Sequence, residues 1–331
     1  MTIKEKKEAL RKNIADVLSP LIGRRCVVLD VPYHVNIGDL LIWKGEMDFL
    51  KSLGVKISGM YSADTFRWPK LPKTTTILLN GGGNFGDIWR YFQDFKLQVV
   101  EHYPNNRIVF LPQTIWYTNE QKEIEDMELL RKHSDLHICV RDKQSLSVLQ
   151  KHFNTNIYLA PDMAFCISDN FIFNKKSPRI KDVNLYVKRS DPEAKESTLD
   201  LNFADAEIRD WPTMEKVPCC YKIFIKLRTM NAKLMHVMER LPYFHKHGFK
   251  TQLAIEDFYM LHVCLPNMLR QGIKFVSSYK YIYTTRLHVA ILSTLLEKGY
   301  TFLDNNYGKN SSFYETWLSD VEEIVFRYDN K

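Results

Sequence analysis

One stretch constrains this chain more than any other, because an apolar run breaks in it into three consecutive glycines: Ile77-Leu78-Leu79-Asn80-Gly81-Gly82-Gly83-Asn84-Phe85-Gly86-Asp87. A run of β-formers ending in Gly reads as a buried strand that closes at a tight turn. Glycine lets the backbone approach a ligand closely and take a positive φ without strain. The following Ile88-Trp89-Arg90-Tyr91-Phe92 can open a helix whose first N–H groups would face an anion or a polar sugar. Without a ligand, the same residues make an ordinary strand-to-helix turn.

The pattern has an echo upstream. Cys26–Val31 reads as a short buried strand, Asn36-Ile37-Gly38-Asp39 follows it, and Leu40–Leu50 has helical periodicity closed by Gly54. Two Asn-x-Gly-Asp turns at the carboxyl ends of two strands would line one crevice, which is where open α/β sheets bind ligands. The alternation continues through strands at 107–111, 136–140 and 157–160 and helices at 119–133 and 143–152, after an amphipathic helix at 3–18. Strands alternating with helices imply a largely parallel sheet, hence an α/β fold. A polar interval at 169–182 separates this half from a second series. That series runs through a strand at 183–187, an irregular charged segment at 190–220, a helix at 231–247, a strand at 248–255 and a helix at 257–270. Strands at 273–276, 281–283 and 301–304, a short helix at 289–296 and a closing helix at 311–326 complete it.

Composition narrows the function classes. The net charge of +7 favours anionic substrates or an anionic membrane surface, but no basic stripe or nucleic-acid motif accompanies it, so nucleic acid is not an expected partner. The six cysteines include no C-x-x-C pair, which fits free thiols in a reducing compartment. The first residues lack the apolar core of a signal peptide, and no apolar run reaches the ~20 residues of a spanning helix. A cytoplasmic location is expected, with any membrane contact peripheral, at the inner face. Scattered histidines and the absence of H-E-x-x-H give no metal site.

Taken in order, a set of short motifs resembles the polysaccharide pyruvyl transferase family. They are Asn36-Ile37-Gly38-Asp39, Asn80 to Asp87, Leu111-Pro112-Gln113-Thr114, Arg141-Asp142 with Ser145, Ala160-Pro161-Asp162-Met163-Ala164, Arg189-Ser190-Asp191, Thr285-Arg286-Leu287-His288 and Asp304 to Lys309. The resemblance implies a ketal-forming enzyme that moves pyruvate from phosphoenolpyruvate, its donor substrate, onto a sugar of a surface polysaccharide, capsule or exopolysaccharide, or of its lipid-linked precursor. It needs no cofactor and no metal. It also implies two Rossmann-like domains facing a cleft, as in GT-B glycosyltransferases: an acceptor domain at 1–170, a donor domain at 171–310, and a closing helix at 311–331 that packs back on the first domain.

That chemistry needs cations for phosphate and carboxylate, a proton for the methylene carbon, a base for a sugar hydroxyl and a polar cradle for the sugar. Arg286 offers a planar fork suited to the anion, and His288, two residues on, is of a residue type suited to a general acid. Arg189 and Lys309, after two other strands, are further donor ligands. Asp39 and Asp87 are candidate bases, although an Asp just after Gly also makes a good helix cap. Asn36, Gly82, Gly83, Asn84, Gln113 and Asp162 are expected to line the acceptor side. Two rivals share the same residues: a GT-B glycosyltransferase using a nucleotide sugar, and a non-catalytic sugar-binding protein of capsule assembly. A dinucleotide site fits less well, because Gly81-x-Gly83-x-x-Gly86 does not lie in the first βα unit and the next strand ends in Leu111-Pro112-Gln113 instead of an acid.

Overall fold

The computed structural model of the chain describes residues 1–173, 178–189, 206–238, 255–304 and 308–328. Helix α1 (Ile3–Leu18) starts at a reciprocal cap, in which Thr2 Oγ1 accepts from Glu5 N and the Glu5 carboxylate accepts from Thr2 N. The first sheet follows, with β1 (Arg25–Leu29), α2 (Ile37–Ser52), β2 (Lys56–Tyr61), β3 (Thr76–Leu79), β4 (Gly82–Gly86), α3 (Arg90–His102), β5 (Ile108–Trp116), α4 (Glu120–Arg131), β6 (Leu136–Val140), α5 (Lys143–Gln150) and β7 (Ile157–Leu159). Its order is β2-β1-β3-β5-β6-β7, with β4 paired to the far end of β5, and every pairing is parallel.

After α6 (Asp169–Phe173), a second parallel sheet forms from β8 (Asn184–Val187), β9 (Ala206–Arg209), β10 (Ile282–Thr284), β11 (Tyr300–Leu303) and β12 (Ile324–Arg327), in the order β12-β11-β10-β8-β9. Its helices are α7 (Pro212–Glu215), α8 (Cys219–Met238), α9 (Leu265–Ser277), α10 (Leu287–Leu295) and α11 (Lys309–Trp317). The result is the expected α/β architecture, two Rossmann-like parallel sheets facing a cleft in the GT-B-like manner.

Strand periodicity decides which apolar cluster each residue joins. On β1, Cys26 and Val28 face one cluster while Val27 and Leu29 face another. The cluster on the Val27 side is local to the first sheet and is covered by α3 and α4. The other runs through α1, α2 and Met163–Phe165 into α9, α10 and the second sheet. Helix α2 lies in the middle of that shared core, which explains why Leu40, Leu41 and Ile42, on successive faces, are all buried. Helix α1 ties the halves together: buried Lys7 pairs with Glu297 at 2.6 Å, and Arg11 donates to the carbonyls of Phe165 and Ile167. Among the described residues no helix is long and apolar enough to cross a membrane.

Several expectations need correction. The glycine run is not a turn into a helix. Gly82–Gly86 is itself a strand, because the far half of β5 offers it a free edge, and the helix waits until Arg90. Strand β5 does not stop at Leu111 but passes through Pro112 with a register shift against β6. Residues 273–276 are the end of α9, an amphipathic helix whose buried face includes Leu269, Gly272 and Val276. The closing helix is α11 and ends at Trp317; the chain then forms β12 at the edge of the second sheet. Helix α11 packs on α5 of the first half, where Trp317 Nε1 donates to Arg141 O at 2.8 Å. The expected strand at 248–255 and the end of the helix at 231–247 fall largely outside the described residues, as do Ser190, Asp191 and Asn305–Tyr307.

Candidate active site

A cavity of about 350 Å³ lies between the carboxyl ends of the two sheets. Each lining loop follows a parallel strand, so strand direction alone brings distant residues together. Asp30 follows β1, Arg141 follows β6, Arg189 follows β8, Trp211 follows β9, Arg286 and His288 follow β10, and Lys309 follows β11.

The cationic side centres on Arg141, which is wholly buried. Its Nε donates to Thr114 Oγ1 at 2.9 Å and its Nη1 to Asp162, which is also wholly buried. Among the described residues its Nη2 has no hydrogen-bond partner. That nitrogen faces Gly83, where a Cβ would lie 3.4 Å from it and 2.6 Å from Lys309 Nζ. Buried polar groups are normally satisfied, so a bare guanidinium nitrogen beside an ammonium marks a place for an anion. Asp162 lies behind the cavity wall, accepting from Ala164 N at 2.9 Å with His288 Nε2 at 3.3 Å. Desolvation pushes its pKa up, but Arg141 and His288 outweigh that and hold the carboxyl well below the usual range. The His288 ring fits only because position 38 is glycine: a Cβ there would lie 2.6 Å from Nδ1.

Arg286 is differently placed. It caps α10 and is buried, and its fork meets both oxygens of Asp210, Nη2 to Oδ2 at 2.6 Å. Arg189 also lines the cavity, its backbone N donating to Thr285 Oγ1 at 3.2 Å.

The lining also carries carboxylates and amides. Asn36 caps α2 through Gly38 N at 3.1 Å and donates to Asp39 Oδ2 at 2.8 Å, with His34 Nε2 3.6 Å from the same oxygen. Asn84 donates to Asp30 Oδ2 at 3.0 Å and accepts from buried Lys96 of α3, whose Nζ lies 3.4 Å from Asp30. Burial raises the Asp30 pKa and lowers that of Lys96; each charge partly restores the other. Trp89, Phe92 and Trp211 add aromatic wall.

The structure thus gathers Asn36, Asp39, Gly83, Asn84, Arg189, Arg286, His288 and Lys309 around one cavity. Gly82 opens β4 beside them, 3.7 Å from Asp39 Oδ1 once a Cβ is built. Two residues stand behind the wall: Asp162, and Gln113, which is buried and donates to Asn80 O at 2.6 Å. Asp87 lies elsewhere. Its carboxylate accepts from Thr118 N, Thr118 Oγ1 and Asn119 N, and against desolvation these bonds hold its pKa below the ordinary value. Sequence reasoning missed Asp30, His34, Lys96 and Asp210, and did not count Arg141 among the site residues. Arg141-Asp142 after a strand was the available signal for Arg141; Asp210 lay hidden in a segment read as irregular.

The sequence profile of the polysaccharide pyruvyl transferase family matches residues 36–307. The chain is 33% identical over 297 residues to a Bacillus subtilis protein provisionally named pyruvyl transferase EpsO, covering 89% of this chain and 86% of that one. It is 25% identical over 310 residues to pyruvyl transferase 1 of Schizosaccharomyces pombe, covering 89% and 70%. A solved Klebsiella pneumoniae protein of uncharacterized function shares the fold with a TM-score of 0.62 at 18% identity, over 96% of this chain and 98% of that one. With a profile match across most of its length and relatives that align over 89% of it, the chain belongs to the polysaccharide pyruvyl transferase family and is a transferase.

Proposed function

We propose that the cavity transfers pyruvate from phosphoenolpyruvate to two hydroxyls of a polysaccharide sugar, forming a ketal and releasing phosphate. The observation that carries this reading is the Nη2 of Arg141, bare among the described residues, beside Lys309: a buried anion subsite in a cavity that also presents carboxylates. The donor's phosphate and carboxylate lie against Arg141, Lys309, Arg189 and Arg286, whose orientation Asp210 fixes. His288, held by Asp162, moves the proton to the methylene carbon. The sugar sits against Asn36, Asn84 and the aromatic wall, where Asp39 takes a hydroxyl proton. A lipid-linked acceptor at the inner membrane face accords with the net charge of +7.

The test is incubation of the purified chain with phosphoenolpyruvate and free or lipid-linked saccharides, reading phosphate release and the pyruvyl ketal by mass. Release that depends on both substrates is expected. Turnover of a nucleotide sugar with no phosphate release from phosphoenolpyruvate overturns the reading. Flotation with anionic vesicles tests the membrane location separately: co-flotation is expected, and full activity on soluble sugars without it removes the lipid-linked acceptor.

A further inference from the structure

The proposed transfer breaks two acceptor O–H bonds, and Asp39 accounts for one of the two protons. Over the whole reaction two C–O bonds form at C2 of the donor. One proton goes to C3, which becomes the methyl group. The bond from C2 to the phosphate oxygen breaks with its electron pair, and the other proton leaves as hydrogen phosphate. No oxidant or reductant enters.

The cavity wall holds a second carboxylate. Asp30 follows β1 with a φ of 63°, in the left-handed region that non-glycine residues enter at a cost, although Asp and Asn tolerate it best. Such strain persists only where the surroundings impose it, and it collects at functional sites. The Asp30 side chain is 3% exposed, yet it borders the cavity. Behind it, Lys96 is a buried ammonium, which is costly unless paired. The groups it meets, Asp30 at 3.4 Å, Asn84 O at 3.1 Å and the Asn84 side chain, all belong to the two cavity-lining residues Asp30 and Asn84. The groups that face Asp30 electrostatically are Lys96 from α3, Asn84 from β4 and His34 ahead of α2, with Glu46 of α2 and Tyr91 of α3 beyond them.

We infer that Asp30 receives the proton of the second acceptor hydroxyl, and that Lys96 is a positioning residue that holds Asp30 and Asn84 against the cavity. This rests on the pyruvyl-transfer reading. Asp39, hydrogen-bonded to Asn36, and Asp30, hydrogen-bonded to Asn84, then serve one hydroxyl each.

The experiment compares wild type with Asp30→Asn and Lys96→Met, using phosphoenolpyruvate and an acceptor that the wild type turns over. Asn keeps both the size and the left-handed backbone but leaves the Lys96 ammonium without its carboxylate, so Asp30→Asn is expected to melt below the wild type and, in the folded state, to bind phosphoenolpyruvate normally by calorimetry. Its kcat is expected to fall by about 100-fold or more, and Asp30→Glu, which restores a carboxylate, to recover part of the loss. In Lys96→Met the acid limb of the kcat–pH profile is expected to move to higher pH, because removing the cation favours the protonated carboxyl. A Lys96 that is merely structural lowers the melting temperature and leaves that limb in place, which overturns its role. An Asp30→Asn kcat within about threefold of wild type overturns the inference, since a positioned base is worth far more than that. The wild-type rate reads the transfer itself and the ratio of variant to wild type reads Asp30, so the two failures are separate.

Discussion

Asn36-Ile37-Gly38-Asp39 and Asn84-Phe85-Gly86-Asp87 carry the same three polar and glycine positions and end in different places. The first opens α2, and both its Asn and its Asp face the cavity. The second lies on β4 and runs just past it. Asn84 faces the cavity, while Asp87 turns to Thr118 and Asn119. On a helix, residues three apart share a face; on a strand they point to opposite faces. The same contrast governs the glycines. Gly38 makes room for the His288 ring, whereas Gly86, at a φ of 132°, has the Trp116 carbonyl oxygen where a Cβ would lie, 1.8 Å away. One motif lines the cavity, and the other, apart from Asn84, is built into the sheet.

The comparison breaks most visibly in the aspartates. Asp39→Asn is expected to cost about 10²–10⁴-fold in kcat and Asp87→Asn to stay within about threefold, by phosphate release. Equal losses would mean that the second turn serves catalysis too. The glycines come next. Gly86→Ala should cost about 3 kcal/mol or more in urea denaturation, since backbone would have to move. Gly38→Ala, in a helix where only a side chain obstructs, should melt near the wild type yet lose activity as His288 is displaced. A smaller effect belongs to Asp87→Ala, about 1–2 kcal/mol of stability from the lost contacts to Thr118 and Asn119, read from the same denaturation curves.

The subtlest case links α2 to the glycine run. Glu46 of α2 is wholly buried and its Oε1 accepts from Gly81 N at 2.8 Å. Burial is the main cause that raises its pKa from 4.5 to about 8, against the Gly81 hydrogen bond. The folded chain therefore keeps a proton that the unfolded chain releases. That stability is fully present below pH ~4.5 and is lost as pH rises towards 8, with a slope of at most about 1.4 kcal/mol per pH unit. Glu46→Gln should flatten this slope in urea titrations from pH 5 to 8; an unchanged slope would place its origin elsewhere.

Much of the first half was legible because apolar periodicity and cap residues act within a few positions. Residues 3–18, 136–140 and 143–152 form the expected elements for that reason. The second half was less so. Ile273–Val276 looks like a strand in isolation, but it completes the buried stripe of α9. Ala206–Arg209 is too short to announce itself, and it becomes a strand by pairing with β8. In the site, residue types whose chemistry is plain on their own, Arg286, His288 and Asp39, could be named in advance. Residues that matter through a partner could not. Asp210 orients an arginine 76 positions away, and Arg141 counts because one of its nitrogens was left bare.

By itself the sequence determined the alternation of strands and helices, and with it the parallel sheets and the carboxyl-end loops where a site had to form, because backbone preference and side-chain period are local properties. Only the tertiary structure decided that the glycine run would be a strand. It also decided that Asp39 and Asp87 would part company, and that Arg141, Asp162 and His288 would meet across 147 positions of chain. The free edge of β5 and the packing of α2 against α9 and α10 settled those matters, and both are contacts between segments far apart in the chain.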